Sequence, residues 1–371
     1  MAEGLSRALV VGGGIGGMST AIQLGRQGVA VDLIDSDPDW RVYGAGITIT
    51  GPTLRAFRTL GVLDEVARQG FCSQGIRVFT WDGAPIGEVP QPPLEEGIPS
   101  QGGVLRPLLH KILSELTLSG GANVRLGLTI DAVDETGQVR FSDGGEGRYD
   151  LVVGADGAFS RTRQLMFPDA PKPKFTGQGC WRITTKRPDH VDKAEFYAGA
   201  QVRAGLTPCS QELMYLWALS PEPGNPWYDP KDWPAMLRER LEGFGHTAQI
   251  VRESIGPDSA VVYRPLESML TPRPWRRGRV VLIGDAAHAT TPHLASGAGL
   301  AVEDAIVLTE ELDRAESVQA GLAAFEDRRF ERCRMVVESS GRLGEIELAH
   351  GSVDEHQDVM TRATLALTEP I

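Results

Sequence analysis

The sequence predicts an α/β fold with a second, mainly β unit and C-terminal helices. Two observations predict it. Three times an apolar strand runs straight into a loop of small residues and then a helix start, at 9–17, 151–163 and 280–304. Alternation of strand and helix with the loops at the strand ends is the pattern of a Rossmann-type unit. Between 172 and 270, by contrast, short runs rich in aromatic and β-branched residues read as strands.

The first element is Leu9-Val10-Val11, followed at once by Gly12-Gly13-Gly14-Ile15-Gly16-Gly17, which satisfies G-x-G-x-x-G. Ile15, Met18, Ile22 and Leu24 then give a helical pattern, and 29–35 is a second strand ending in an acid. Each glycine has a task. Gly12 allows a tight turn, Gly14 lets backbone approach a pyrophosphate, and Gly17 lets helix and strand pack closely. The pyrophosphate rests on the positive end of the helix, against Ile15 and Gly16. Asp35 stands 18 residues after Gly17, the spacing of a carboxylate that receives a ribose hydroxyl. Asp32 and Asp37 read as solvated neighbours.

The next element is a strand pair, 75–81 and 84–89, around the turn signal Asp82-Gly83. Arg106 then stands just before a helix opened by Pro107. The strand 151–154 runs into Asp156-Gly157-x-x-Ser160-x-x-Arg163, more than the Asp-Gly of a plain turn requires. Further strands are expected at 179–185, 194–198, 202–206 and 213–220, and a helix at 233–244. Tyr215 and Trp217 should share one strand face and Met214 and Leu216 the other.

The most informative stretch is 284–304. It places Gly284, Asp285, His288, Pro292, His293 and Gly297-Ala298-Gly299 between a buried strand and a helix. Backbone N–H groups at such a helix start suit an anionic or electron-rich ligand. His288 reads as a residue that packs the loop. A helix is expected at 318–349, and the polar last twenty residues read as a flexible end or a dimer contact.

The fingerprint at 12–17, the Asp-Gly motif at 156–163 and the Gly-Asp motif from Gly284 to Pro292 occur in the order found in single-component, class A flavoprotein aromatic hydroxylases. The chain resembles this family, and its salicylate-hydroxylase-like members in particular, from about 9 to 334. Many members carry Gly-Gln-Gly where this chain has Gly297-Ala298-Gly299. The resemblance implies a discontinuous FAD-binding domain at 1–70, 100–171 and 271–371, and a substrate domain at 71–99 and 172–270. It implies FAD contacts at Asp35, Arg41, Arg106, Asp156, Gly157, Gly284, Asp285 and Pro292, with Asp285 on the ribityl chain, and NADH or NADPH as a transient co-substrate. Hydroxylation of a small activated aromatic or N-heteroaromatic ring would proceed with O2 through a C4a-hydroperoxyflavin. Arg182, Arg203, Tyr215, Trp217 and His293 are the candidate substrate contacts; Arg203, Tyr215, His293 and Pro292 are the candidates for catalysis. A reductase or dehydrogenase of the same fold and a non-catalytic flavin-binding module are the competing readings.

Bulk properties narrow the setting. The 371 residues allow two domains. A net charge of −12 without a long basic cluster argues against nucleic acid or an anionic membrane as partner. The four cysteines lack metal-ligand spacing and read as reduced thiols, so no metal is expected. No apolar run approaches the roughly 20 residues of a membrane span, and the first strand begins too early for a signal peptide. A cytoplasmic monomer or homodimer is expected.

Overall fold

The first three apolar strands lie side by side. In the computed structural model, which describes residues 2–42, 44–199 and 201–371, one sheet has the order Arg276–Arg277, Val280–Leu282, Leu151–Gly154, Arg7–Val11, Ala30–Asp35 and Asn123–Leu126. All neighbours run parallel except the edge strand Arg276–Arg277. Helices cover this sheet, so Val10, Leu33, Val153 and Val281 are inaccessible to water, and such strands appear in sequence as unbroken apolar runs. The consequence is functional. The loops after Val11, Gly154 and Leu282 leave the same end of three adjacent strands, the position at which open α/β sheets bind ligands.

A seven-stranded sheet stands beyond this unit, in the order Val261–Ser268, Lys174–Lys186, Leu213–Pro221, Arg203–Pro208, Ala194–Ala198, Ile76–Thr80 and Pro85–Val89. Its pairings fix a register that local sequence cannot supply. Arg182 lies opposite Trp217, which lies opposite Gly205, while Thr184, Tyr215 and Thr207 form the next row. One face carries Trp181, Ile183, Met214, Leu216, Ala204, Leu206 and Tyr197, packed with Leu237, Ala248 and Val251 of the helices Trp233–Arg240 and His246–Ser254. Period-two alternation therefore turns Arg182, Arg203, Tyr215 and Trp217 to the opposite face. Met214 and Leu216 do face away from Tyr215 and Trp217, as expected.

Three features differ from the sequence expectations. Gly46–Thr50, Gln101–Leu105 and Phe71–Ser73 form a small antiparallel sheet, so Phe71–Ser73 pairs with Gln101–Leu105 and not with the large sheet. The polar C-terminus is neither loose nor irregular: Val353–Thr368 is a helix that buries Ala363 and Leu367, and Arg55 and Arg332 donate to its last carbonyls. Its Ser352 N-cap accepts from the Glu355 N–H, which starts the helix despite few apolar residues. Asp32 is not solvated. It accepts from Arg7 Nη2 (2.6 Å), Asn123 Nδ2 (2.7 Å) and Tyr149 OH (2.7 Å), and so ties three strands of the parallel sheet together.

Candidate active site

The glycines of the first loop behave as their spacing implies. A Cβ on Gly12, whose φ is +107°, would lie 2.3 Å from the Ala155 carbonyl, and one on Gly17 would lie 1.8 Å from the Gly12 carbonyl. Only glycine permits this contact of helix Ile15–Arg26 with its strand. A Cβ on Gly14, in contrast, would meet nothing within 4 Å. Gly14 is the N-cap and offers no side-chain partner, so the first helical N–H groups are left for a ligand. Beside them lies a cavity of about 260 Å³ walled by Gly12, Gly14, Asp35, Ser36, Leu128, Thr129, Asp156 and Gly157. Asp35 Oδ2 accepts the Gly13 N–H (2.7 Å) and Oδ1 the Asp37 N–H (2.8 Å), which orient its carboxylate at the cavity rim. A bare glycine cradle, a helix start and a rim carboxylate fit the adenosine and pyrophosphate of FAD.

Asp156 has a second duty at the same cavity. Its Oδ1 accepts from Ser160 Oγ (2.5 Å), and its Oδ2 from the Thr162 N–H (2.8 Å) and hydroxyl (3.0 Å). Arg163 donates to the Ala158 and Ala286 carbonyls (2.6 and 2.8 Å) and is buried. The Asp-Gly motif thus clamps the loop that carries Asp285, a link between two motifs that sequence order alone does not reveal. Arg41, expected near the cofactor, pairs with Asp37 at 3.1 Å.

The loop after Leu282 is held from beneath. Asp304 accepts from the Gly284 N–H (2.8 Å), lies 2.7 Å from His288 Nε2, and accepts from Arg329 Nε (2.8 Å). Arg329 also meets Glu303 (2.8 Å), which Arg332 approaches at 2.9 Å. Burial alone would strip the proton from His288. Cys333 and Asp304 outweigh it and hold the imidazole well above its ordinary range. Asp304 is driven well below the carboxylate range: His288 and Arg329 overcome its burial. His288 is thus tied into the network beneath the loop. Above this network, Asp285 opens the turn Asp285–His288 with its side chain reached by solvent, yet the surrounding protein raises its carboxyl through desolvation, which His288 and Arg106 partly oppose. A carboxyl lining a narrow cleft behaves in this way. The helix Gly297–Arg314 has no side-chain cap, and a Cβ on Gly16 would lie 3.3 Å from Ala301 Cβ. The N-termini of two helices accordingly converge, one at each glycine loop, and Ala298 stands in the first turn of the second. Pro292 opens the turn Pro292–Leu294 just before it.

The sheet face closes the other side. Tyr215 is buried, and its hydroxyl lies 2.6 Å from Thr48 Oγ1, which is 3.0 Å from Thr207 Oγ1. Burial raises the phenol, and the bond to Thr48 only partly offsets it. A Cβ on Gly46 would collide with the Tyr215 ring at 2.2 Å, and one on Gly205 with Trp217 at 2.4 Å. Arg106 stands within electrostatic reach of Tyr215, Asp285 and Arg182; burial, then Arg182, lower its guanidinium. Among the described residues neither Arg106 nor Arg182 forms an ion pair. The sequence reading missed Thr48 and Thr207. The alternation in Gly46-Ile47-Thr48-Ile49-Thr50 marks a strand with a polar face, but nothing local says that it meets Tyr215.

Arg203, from the same face, is differently occupied. It forms an ion pair with Glu347 of the long helix Val318–Leu348, donates to His356 Nε2 (2.8 Å) and stacks over Phe196 (4.8 Å). Glu347 also receives Gln178 Nε2 (3.0 Å) and lies 3.3 Å from His293 Nε2 and 3.1 Å from His356 Nε2. The His293 ring is buried, with Nδ1 2.8 Å from Thr291 Oγ1. Burial, then the charge of Arg203, press it down to about 3, and the same two causes press His356 to about 4. Two candidates for direct chemistry, Arg203 and His293, thus meet in one cluster joining the sheet, the loop and both C-terminal helices. Glu347, its centre, has no sequence signal beyond an acid on a helix.

Together the fold and site fit a flavin-dependent oxidoreductase: three loops leave the same end of adjacent parallel strands, and a seven-stranded sheet stands opposite them. Comparison with known proteins agrees. The FAD binding domain family model matches residues 6–340, and the chain belongs to this family. It is 33% identical over 359 residues to the aurachin C monooxygenase/isomerase of Stigmatella aurantiaca, covering 93% of this chain and 90% of that one. It is 33% identical over 357 residues to the 2-heptyl-3-hydroxy-4(1H)-quinolone synthase of Pseudomonas aeruginosa, covering 91% and 90%. A tetrameric form of 2-methyl-3-hydroxypyridine-5-carboxylic acid oxygenase shares the fold, with TM-score 0.80 at 23% identity over 98% of each chain. The chain is an FAD-dependent monooxygenase. No helix among the described residues is long and apolar enough to cross a membrane.

Proposed function

We propose that this monooxygenase uses O2 and NADH or NADPH to hydroxylate a small, electron-rich aromatic or N-heteroaromatic ring, bound between the loop 284–304 and the sheet face bearing Arg182, Tyr215 and Trp217. The observation that supports this most is the pair Arg106 and Arg182, two cations beside the Tyr215 hydroxyl with no ion-pair partner among the described residues. Guanidinium forks suit a planar anion, so a ring carboxylate or phenolate completes the charge balance. The quinolone in the name of a relative at 33% identity supports an N-heteroaromatic ring.

Reduced FAD supplies the oxygen activation. The residues of this chain do the rest. Arg182 orients the ring anion, and Trp217 gives it an apolar wall. The raised phenol of Tyr215 stays protonated at neutral pH, so it donates to a ring oxygen and passes charge changes to Thr48 and Thr207. Arg203 and His293 act as positioning residues through Glu347, and Pro292 shapes the loop at the ring. Asp285 accepts a ribityl hydroxyl. The narrow cleft keeps water from the reacting centre.

The sheet pairings support a cofactor unit at 1–70, 100–171 and 271–371 and a substrate unit at 71–99 and 172–270, with Phe71–Ser73 transferred to the former. Four free cysteines support a reducing, cytoplasmic setting; sedimentation tests the expected monomer or homodimer. The function itself is tested with purified yellow protein and a panel of phenols, hydroxybenzoates, hydroxypyridines and quinolones. NADH and NADPH oxidation is followed, and hydroxylated product is separated from hydrogen peroxide. A member of the panel should accelerate the oxidation and appear hydroxylated. Reduced flavin that is stable in air, with no acceleration by any ring, would sink the proposal.

A further inference from the structure

The helix-covered face of the seven-stranded sheet, remote from the cleft, holds a second group of chemistry-bearing side chains. The turn after Lys174–Lys186 brings His190 to the start of helix His246–Ser254. His190 Nε2 lies 2.9 Å from Thr247 Oγ1, His246 Nδ1 lies 3.0 Å from the same hydroxyl, and His246 Nδ1 is 3.7 Å from Glu195 Oε2. The ligand atoms of His190, Glu195 and His246 all fall within 4.8 Å of one another. Both imidazoles are exposed at the mouth, and Glu195 forms the floor at 2% exposure.

Glu195 is the telling residue. Oε2 accepts from Tyr197 OH (2.7 Å), but Oε1 is buried and has no hydrogen-bond partner among the described residues. No Lys or Arg among them pairs with this carboxylate; the one basic group among them within 4 Å of it is His246. A buried carboxylate oxygen without a partner is costly. The buried cluster His288, Asp304 and Cys333 is the contrast. There Asp304 is already met by the Gly284 N–H, His288 and Arg329, and the guanidinium supplies the positive charge. That cluster is closed, whereas the one at Glu195 lacks a cation.

We propose that His190, Glu195 and His246 bind a divalent cation of the Zn2+ type, with water as a fourth ligand. Two imidazoles and one carboxylate are donors for Zn2+, Ni2+ or Cu2+ rather than for Ca2+ or Mg2+, which prefer all-oxygen shells. Zn2+ takes such ligands at about 2.0–2.2 Å, so the three atoms must draw together. His190 is exposed on a surface turn, and its ring would exchange its contact with Thr247 Oγ1 for the ion. His246 is already fixed by stacking on Phe79 (ring centroids 4.3 Å apart). The ion would staple the turn carrying His190 to the helix layer of the sheet, at a distance from the flavin chemistry.

The test uses the untagged FAD-loaded enzyme, stripped of metal with a chelator and titrated with Zn2+ by calorimetry and by thermal unfolding. The proposal predicts one strongly bound Zn2+ per chain that raises the melting temperature. His190→Ala and Glu195→Gln should each weaken binding at least about tenfold, and His190→Ala should melt like the metal-free wild type. Substrate-dependent NAD(P)H oxidation should be unchanged in His190→Ala. Absence of strong Zn2+ binding, or equal affinity in His190→Ala, would overturn the site. So would an infrared carboxylic-acid band at neutral pH that disappears in Glu195→Gln, since a proton would then hold the place of the ion.

Discussion

Arg329 beneath the loop 284–304 and Arg182 above it are both drawn out of bulk water, but only the first meets carboxylates. Arg329 binds Asp304 and Glu303 at 2.8 Å each within a closed network. Arg182 faces Tyr215, Cys180 and a second arginine, Arg106. One region is electrostatically complete and therefore structural. The other has no ion pair among the described residues, and in the function proposed here a ring anion supplies the negative charge. Arg203 shows that the distinction does not follow the sheet face: it projects beside Arg182, yet Glu347 has claimed it.

The comparison is open to attack at several points. Arg329→Met removes the buried cation that bridges Asp304 and Glu303, leaving Asp304 to His288 and Glu303 to Arg332, and should cost about 3–5 kcal/mol of stability; denaturant unfolding measures this, and a loss under about 1 kcal/mol would show that the bridge is not what holds the loop. Arg182→Met removes no ion pair, so its melting temperature should match the wild type while kcat/KM falls about 10- to 100-fold, the worth of a hydrogen bond to a charged group. A melting temperature that falls while kcat/KM holds would reverse the assignment.

Protonation gives a third probe. His293 and His356 are held neutral by burial, with folded values of about 3 and about 4. Their depressed values mean that the unfolded chain takes up protons first as pH falls below about 6.5. The stability they contribute is present above that value and is lost toward pH 4. Melting between pH 7 and 5 should therefore fall less in a His293→Gln, His356→Gln double variant than in the wild type. Equal slopes would mean that Glu347 keeps one ring protonated in the folded state. The smallest effect is expected from Thr48→Val, which keeps shape but removes the partner of the Tyr215 hydroxyl. About 1 kcal/mol, or fivefold in kcat, is the scale of one neutral hydrogen bond, and steady-state kinetics against pH should register it.

Legibility follows the range of the interactions. The glycine loop at 12–17 is local: its turn, its helix start and its acid at Asp35 lie within one strand–helix–strand unit, so spacing alone describes it. The three loops at 12, 156 and 284 were recognisable singly, but their adjacency rests on strand order, which pairs Leu151–Gly154 with both Arg7–Val11 and Val280–Leu282. Tyr215 and Trp217 were assignable to one face by alternation, but not to the cleft, because that required their pairing with Thr184 and Arg182, more than 30 residues earlier in the chain. The partners of Arg203 and Tyr215 were hidden for the same reason: Glu347, His356 and Thr48 are more than 140 residues away. Asp32 was misread because an acid inside a strand looks solvated until Arg7, Asn123 and Tyr149 arrive from three other segments.

The central claim is that this cleft directs oxygen onto a bound aromatic ring. The direct measurement is turnover under 18O2 with the ring that best stimulates NAD(P)H oxidation, read by mass spectrometry of the product. The account predicts one labelled oxygen in the hydroxylated ring, with much less in Arg182→Met. Product carrying oxygen from water, or label recovered only as hydrogen peroxide, would contradict it.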